Sequence, residues 1–190
     1  MISCTTPYNK APGTSGLNSS YFLEIWPYAG KLITRSINDC LKSGRLPAKQ
    51  REGVIVLIPK HDKDQRIIGN LRPITLLNCY YKIISGVITN RMKPVLQKLI
   101  DSHQKAYLPG RYIGECTRTV HDIMHYALEN EIPSLAMLVD FKKAFDSVFH
   151  SFIKNTMRKF KFNETFISWI NTLLTDFKSK TLSTVALATR

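Results

Sequence analysis

The stretch "SLAMLVDFKKAFDSV" ends a short apolar run, Leu135 to Val139, on the carboxylate of Asp140 and adds Asp146 six residues later. Pro133 sets the start of the run, and its length predicts a buried strand. A carboxylate at the end of such a strand leaves the core on a rigid element. A metal ligand belongs there, but so does the ordinary end of a strand. A second pattern with spacing suited to chemistry is "HDIMH", with His121 and His125 at i and i+4 and Asp122 beside them. The zinc-protease pattern has glutamate in that place and needs a third ligand, which does not follow here. The pair therefore reads as two histidines on a partly buried helix. "GTSGLNSS" has glycines and hydroxyls but no Gly-Lys-Ser/Thr, so it is no P-loop.

The elements that must position these groups follow from periodicity. The first twenty residues are turn formers without apolar rhythm and read as a loop or arm. A helix follows, with an interruption expected from Pro27 to Gly30. Trp26, Leu32, Ile33, Ile37, Cys40 and Leu41 mark its buried face, and Gly44 and Pro47 stop it. Val54 to Ile58 predicts a strand closed by Pro59, and the polar "KHDKDQRIIGNLRP" the bend of a hairpin. Tyr80 to Ile100 has helical spacing, with a kink or restart expected at Pro94. Val120, Ile123, Met124, Ala127 and Leu128 should line one face of the next helix. Two more helices are predicted, Phe149 to Phe160 and Asn163 to Phe177, the second capped by Asn163 with Glu164 in its first turn. The tail has weak strand character. Helices dominate and strands are few, so the class is α+β, with a small antiparallel sheet in one module.

Composition narrows the partners. Lysine and arginine outnumber aspartate and glutamate 27 to 14, a formal charge of +13. A field of that sign recruits polyanions, nucleic acid first. An anionic membrane surface is the rival, but no segment has the apolar length to span a bilayer and no signal peptide opens the chain. Cys4, Cys40, Cys79 and Cys116 lie far apart without a C-x-x-C pair, which argues for reduced, mostly buried thiols rather than a zinc finger or disulfide scaffold.

In its order of blocks the chain resembles the reverse transcriptase domain of non-LTR (LINE-type) retrotransposons. The blocks are "NKAPGTSGL", "LPAKQREGVIVLIPK", "NLRPITLLNCYYKIISGVITNRMKPVLQKLI", "HQKAYLPGR", "LVDFKKAFDSV" and "FNETFISWINTLLTDF", and together they cover nearly all of it. The resemblance implies a right-hand polymerase. Residues 1–20 would form an N-terminal arm, 21–132 the fingers and adjoining palm helices, 133–178 the start of the palm, and 179–190 a divergent tail. It implies RNA-directed DNA polymerisation with two Mg²⁺ ions, deoxynucleoside triphosphates, an RNA template and a DNA primer. By the same resemblance Asp140 is the first catalytic carboxylate and the backbone carbonyl of Phe141 a further metal ligand. Phe145 matches the aromatic ring that sits under the incoming sugar and excludes a 2′-hydroxyl by volume. Lys60 and Arg72 match fingers residues that reach the triphosphate, while Asn9, Lys10 and Arg111 match positions that touch the template strand. Asp146 completes the "KAFD" signature without binding metal, and a capping or local hydrogen-bonding role is expected of it.

Two family features are absent from the sequence. No two aspartates are adjacent, so the [FY]-x-D-D pair is missing, and the R-G-x-x-Q-G-x-P block is missing too. One aspartate cannot hold two Mg²⁺ ions in catalytic geometry. The expectation is a fragment or truncated copy that lacks the C-terminal palm and thumb and polymerises nothing alone. Two other readings stay open: a non-catalytic RNA- or DNA-binding remnant, and a piece of a group II intron or retron-type reverse transcriptase. Localisation is expected to be intracellular, with nucleus and cytoplasm both visited by the full element.

Overall fold

The computed structural model describes residues 10–141 and 144–181. It divides into two compact units, one of Met1–Ile88 with Met157–Arg190 and one of Thr89–Thr156.

In the first unit, α1 (Ser19–Ser43) starts where Asn18 accepts the Tyr21 N–H at 2.9 Å and ends at Gly44, whose φ of 69° is the left-handed conformation that favours glycine. The interruption expected from Pro27 to Gly30 does not occur. A helix-interior proline costs about 3 kcal/mol, but Phe22 precedes it and Ile37 and Cys40 follow it in the core. Burying each apolar side chain contributes about 1.5–3 kcal/mol, so packing on both sides of Pro27 outweighs the lost hydrogen bond. The expected face is corrected at Leu32, which is exposed.

A short 3₁₀ turn, Ala48–Arg51, leads into β1 (Glu52–Pro59), which pairs antiparallel with β2 (Leu71–Leu77) from Gly53 opposite Leu77 to Pro59 opposite Leu71. That hairpin is as expected, but the sheet is mixed rather than antiparallel. β3 (Lys178–Thr181) lies parallel to β1 on its other side, giving the order β2-β1-β3. The Arg51 guanidinium explains the approach, because it holds the Asp176 carboxylate at 3.0 Å and its carbonyl at 3.4 Å just before β3 begins. Gly53 is needed where this happens: a Cβ there would meet the Thr75 methyl at 2.6 Å and the Phe177 ring at 3.1 Å.

Helix α2 (Cys79–Leu99) runs through Pro94 without a break. Its first half supplies Cys79, Ile83, Ile84 and Ile88 to the core. Tyr80 donates to the Ser36 hydroxyl of α1 at 2.8 Å, and Tyr81 to the Leu173 carbonyl of α5 (Glu164–Leu174) at 2.9 Å. Burial raises the pKa of both phenols. Asn163 caps α5 as expected, accepting the Thr165 N–H at 2.8 Å. Cys40 and Cys79 are buried as anticipated, whereas Cys116 is exposed.

The second unit holds the end of α2, a loop, α3 (Gly114–Glu129) and the start of α4 (His150–Lys159). Of the expected apolar face of α3 only Ala127 is buried; Val120, Ile123, Met124 and Leu128 are exposed. The strand expected over Leu135 to Val139 is not there. Those residues have no regular structure and their side chains lie in solvent, Leu138 at 99% exposure. A strand takes its backbone hydrogen bonds from a neighbour, and no strand pairs with this run among the described residues. No described helix is long and apolar enough to cross a membrane.

Candidate nucleotide and nucleic-acid site

The β1–β2 hairpin builds a basic tip. Lys60 follows β1 directly, with its N–H on the Asn70 carbonyl at 2.9 Å and its ammonium on the Gly69 carbonyl at 2.8 Å. Arg72 stands opposite Ile58. Side chains alternate along paired strands, so Lys60 and Arg72 fall on the same face, diagonal to one another. The bend between them adds Lys63 and Arg66, four cations on the hairpin against the carboxylates of Asp62 and Asp64. Arg72 and the bend are exposed. Such a tip can meet a polyphosphate, with the arginine giving a planar fork and the lysine a point charge.

Asp140, Phe141 and Phe145 lie in the second unit, in exposed chain without regular structure. The rigid element that should have carried Asp140 is absent for the reason given above, so its carboxylate projects into solvent. The described residues contain no group of three or more His, Cys, Asp or Glu side chains able to hold a metal ion. Among the described residues, Asp140 therefore stands outside any such group. Asp146 lies in an exposed turn.

Phe145 has a neighbour that the sequence did not disclose. The ring of Tyr107 meets it edge-on, with centroids 6.0 Å apart and planes at 87°. Tyr107 has a φ of 64°, uncommon for a bulky residue, and the loop that imposes it is held by Arg111. The guanidinium of Arg111 donates to the carbonyls of Gln97 at 3.1 Å, Ile100 at 2.8 Å, Asp101 and Gln104 at 2.7 Å. It thus satisfies carbonyls at the C-terminal end of α2, which have no partners within the helix. Asp101 continues the knot. Its carboxyl is held below the usual range, first by the His103 N–H at 2.8 Å and then by the His103 ring at 2.6 Å. Gln97 donates to the Pro109 carbonyl at 2.8 Å, and Lys105 pairs with Glu115. Arg111, expected at the template strand, spends these donors on the protein's own backbone.

The N-terminal arm is fixed by another residue the sequence did not mark. Asn78, between β2 and α2, is 1% exposed. Its carboxamide oxygen accepts the Ser15 N–H at 2.9 Å, and its NH₂ donates to the Lys49 carbonyl at 2.7 Å and to the Thr14 hydroxyl at 3.1 Å. Lys82 also donates to the Ala11 carbonyl at 3.3 Å. Gly13 can lie here because it has no Cβ; one would come within 2.5 Å of the Asn78 nitrogen. Lys10 is exposed at the start of the arm, and Asn9 lies outside the described residues. An Asn in "LLNCYY" looked like any polar residue between a strand and a helix, and no local pattern signals a clamp to residues more than sixty positions away.

The histidines of "HDIMH" are exposed on α3, a helix whose Ala127 is buried. Lys10, Lys60 and Arg72 thus belong to the first unit, and Arg111, Asp140, Phe141 and Phe145 to the second.

Residues 58–189 match the family described as reverse transcriptase (RNA-dependent DNA polymerase). Over 167 residues the chain is 34% identical to the transposon TX1 uncharacterized 149 kDa protein of Xenopus laevis, covering 88% of this chain and 13% of that protein. It is 26% identical over 146 residues to the RNA-directed DNA polymerase from mobile element jockey of Drosophila melanogaster, covering 76% and 16%. A 115 kDa protein in the type-1 retrotransposable element R1DM of the same fly is 26% identical over 140 residues, 73% and 13%. The chain thus spans about a seventh of the length of these relatives.

Proposed function

The chain belongs to the reverse transcriptase (RNA-dependent DNA polymerase) family, and from that membership we propose that it supplies the fingers and the first palm segment of a retrotransposon's RNA-directed DNA polymerase. The observation that carries the proposal is the family match over residues 58–189, which includes both the basic tip of the hairpin and Asp140. The likeness to mobile-element proteins supports the retrotransposon assignment over an intron or retron origin.

On this reading residues 21–132 form the fingers and adjoining palm helices of a right-hand polymerase, and residues 133–178 begin the palm. Lys60 and Arg72 receive the triphosphate of an incoming deoxynucleotide, and Phe145 stands under its sugar. Asp140 and the Phe141 carbonyl offer oxygen ligands to a divalent cation, of the kind that supplies charge neutralisation in nucleotidyl transfer. One aspartate cannot hold two Mg²⁺ ions in catalytic geometry, so on this reading the 190 residues alone extend no primer. Lys10 meets the RNA template and DNA primer, a role the family resemblance also gives to Asn9, which lies outside the described residues. Arg111 acts through the loop it holds. The whole protein works where element RNA meets target DNA, with access to nucleus and cytoplasm.

The test replaces the matching segment of the jockey polymerase with residues 52–148 of this chain and measures primer extension on primed RNA. Extension that Asp140→Asn abolishes supports the reading. A folded, RNA-binding chimera that is inert, or activity indifferent to Asp140, refutes it. A second reading, a basic module that binds RNA without chemistry, is favoured by the net charge of +13. Salt-sensitive RNA binding by the 190-residue chain, unchanged by Asp140→Asn, with an inert chimera, would select it.

A further inference from the structure

The histidine pair that the polymerase reading leaves unused carries an inference of its own. We propose that His121 and His125 form a two-imidazole chelate for a borderline divalent transition ion of the Zn²⁺, Ni²⁺ or Cu²⁺ class on the exposed face of α3.

Four observations converge on it. The residues are one helical turn apart near the middle of α3, so both rings project from the same face. Both side chains are open to solvent, His121 at 77% and His125 at 64%, so the rings are not core packing. The rings lie nearly parallel, with centroids 6.4 Å apart and planes at 21°. A carboxylate stands near each Nδ1, Asp122 at 3.7 Å from His121 and Glu129 at 3.3 Å from His125, as ion-pair neighbours rather than hydrogen-bond partners. A carboxylate near Nδ1 can take up its N–H when a metal binds, which favours presentation of the other ring nitrogen to the ion. The Nε2 atoms are therefore the ligating pair.

The rings must turn to share an ion. With metal–nitrogen bonds near 2.0–2.1 Å and a tetrahedral angle, the two centroids would stand about 5 Å apart. The observed 6.4 Å must close by a little over an ångström, and the near-parallel ring planes must turn so that their in-plane lone pairs meet, both by rotation about exposed side-chain bonds. The Arg118 guanidinium, one turn before Asp122, lies 3.7 Å from that carboxylate, which partly offsets its repulsion of a cation. Among the described residues no cluster of three or more ligands stands here. Water completes the shell, the site is open, and its preference among ions follows the order Cu²⁺ over Ni²⁺ and Zn²⁺ that imidazole ligands show.

The experiment is a calorimetric titration of the untagged 190-residue chain with NiCl₂ and separately with ZnCl₂, at neutral pH. The expected result is one saturable ion per chain. His121→Ala and His125→Ala should each weaken binding at least tenfold, while Asp122→Asn weakens it by about tenfold or less. The chain has three other histidines, His61, His103 and His150. His103, whose ring is also against a carboxylate, gives the control, and His103→Ala should leave the affinity unchanged. Far-UV circular dichroism of each variant verifies that α3 persists, since all the altered side chains are exposed. Absence of saturable binding up to about 1 mM free metal, binding that survives the double variant, or equal loss in His103→Ala would overturn the proposal.

Discussion

Replacing Asn78 by alanine should unhook the N-terminal arm, and the structure sets the size of the effect. The carboxamide joins three places: the arm at Thr14 and Ser15, the 3₁₀ turn at Lys49, and the β2–α2 junction that carries it. Alanine leaves the Lys49 carbonyl and the Ser15 N–H without their partner. A buried polar group so abandoned costs about 1–3 kcal/mol, and a partly buried one less. Both bonds are part-buried, between buried Asn78 and the exposed residues Lys49 and Ser15, so the two groups should share the loss. The sum is about 2–3 kcal/mol. Asn78→Asp should do no better despite its shape, because it sets an oxygen against the Lys49 carbonyl, 2.7 Å from the present nitrogen. Thr14→Val removes a single exposed-side partner and should cost about 1 kcal/mol or less. Urea unfolding of the three variants measures these differences, and limited proteolysis reads the arm directly, with cleavage within residues 10–18 expected to rise in Asn78→Ala. A loss below about 0.5 kcal/mol with the arm still protected would refute the clamp.

Three further outcomes are expected. Arg111→Lys should destabilise the second unit by about 2 kcal/mol, since one ammonium cannot reach four carbonyls in the plane of a guanidinium; hydrogen exchange should rise at the end of α2 and in the loop containing Tyr107. Ile84→Ala should cost about 2–5 kcal/mol in urea unfolding, because Ile84 is wholly buried and alanine leaves a cavity. Glu164 accepts from Arg158 at 2.8 and 3.1 Å, which holds its carboxyl below the usual glutamate value of 4.5. The pair's stabilisation is therefore present above pH 4.5 and lost as pH falls through the lower folded value. Thermal unfolding of the wild-type chain and Arg158→Gln should accordingly converge below that pH and separate above it.

The sequence by itself determined a good deal here. Apolar spacing and end signals located the helices, and Asn163 and Gly44 cap and stop them as their chemistry requires, because those effects act within one turn of the chain. "GVIVLIPK" and the polar run after it gave the hairpin, and the block order "NLRPITLL" to "LVDFKKAFDSV" carried the family. The basic excess was likewise legible as charge. What failed were inferences that needed a partner distant in sequence. Leu135 to Val139 had strand composition, yet pairing decides a strand, and no described strand pairs with it. The parallel β3 depended on Arg51 reaching Asp176 across 125 positions. Pro27 was read by its local cost and overruled by burial on both sides. The four carbonyls that Arg111 holds gave no sign in the sequence, and the apolar face read into α3 met no partner, since Val120, Ile123, Met124 and Leu128 are exposed. Residue type fixed what each side chain can do. Tertiary structure decided which of them had anything to do it with, because hydrogen bonding and burial are set by neighbours in space.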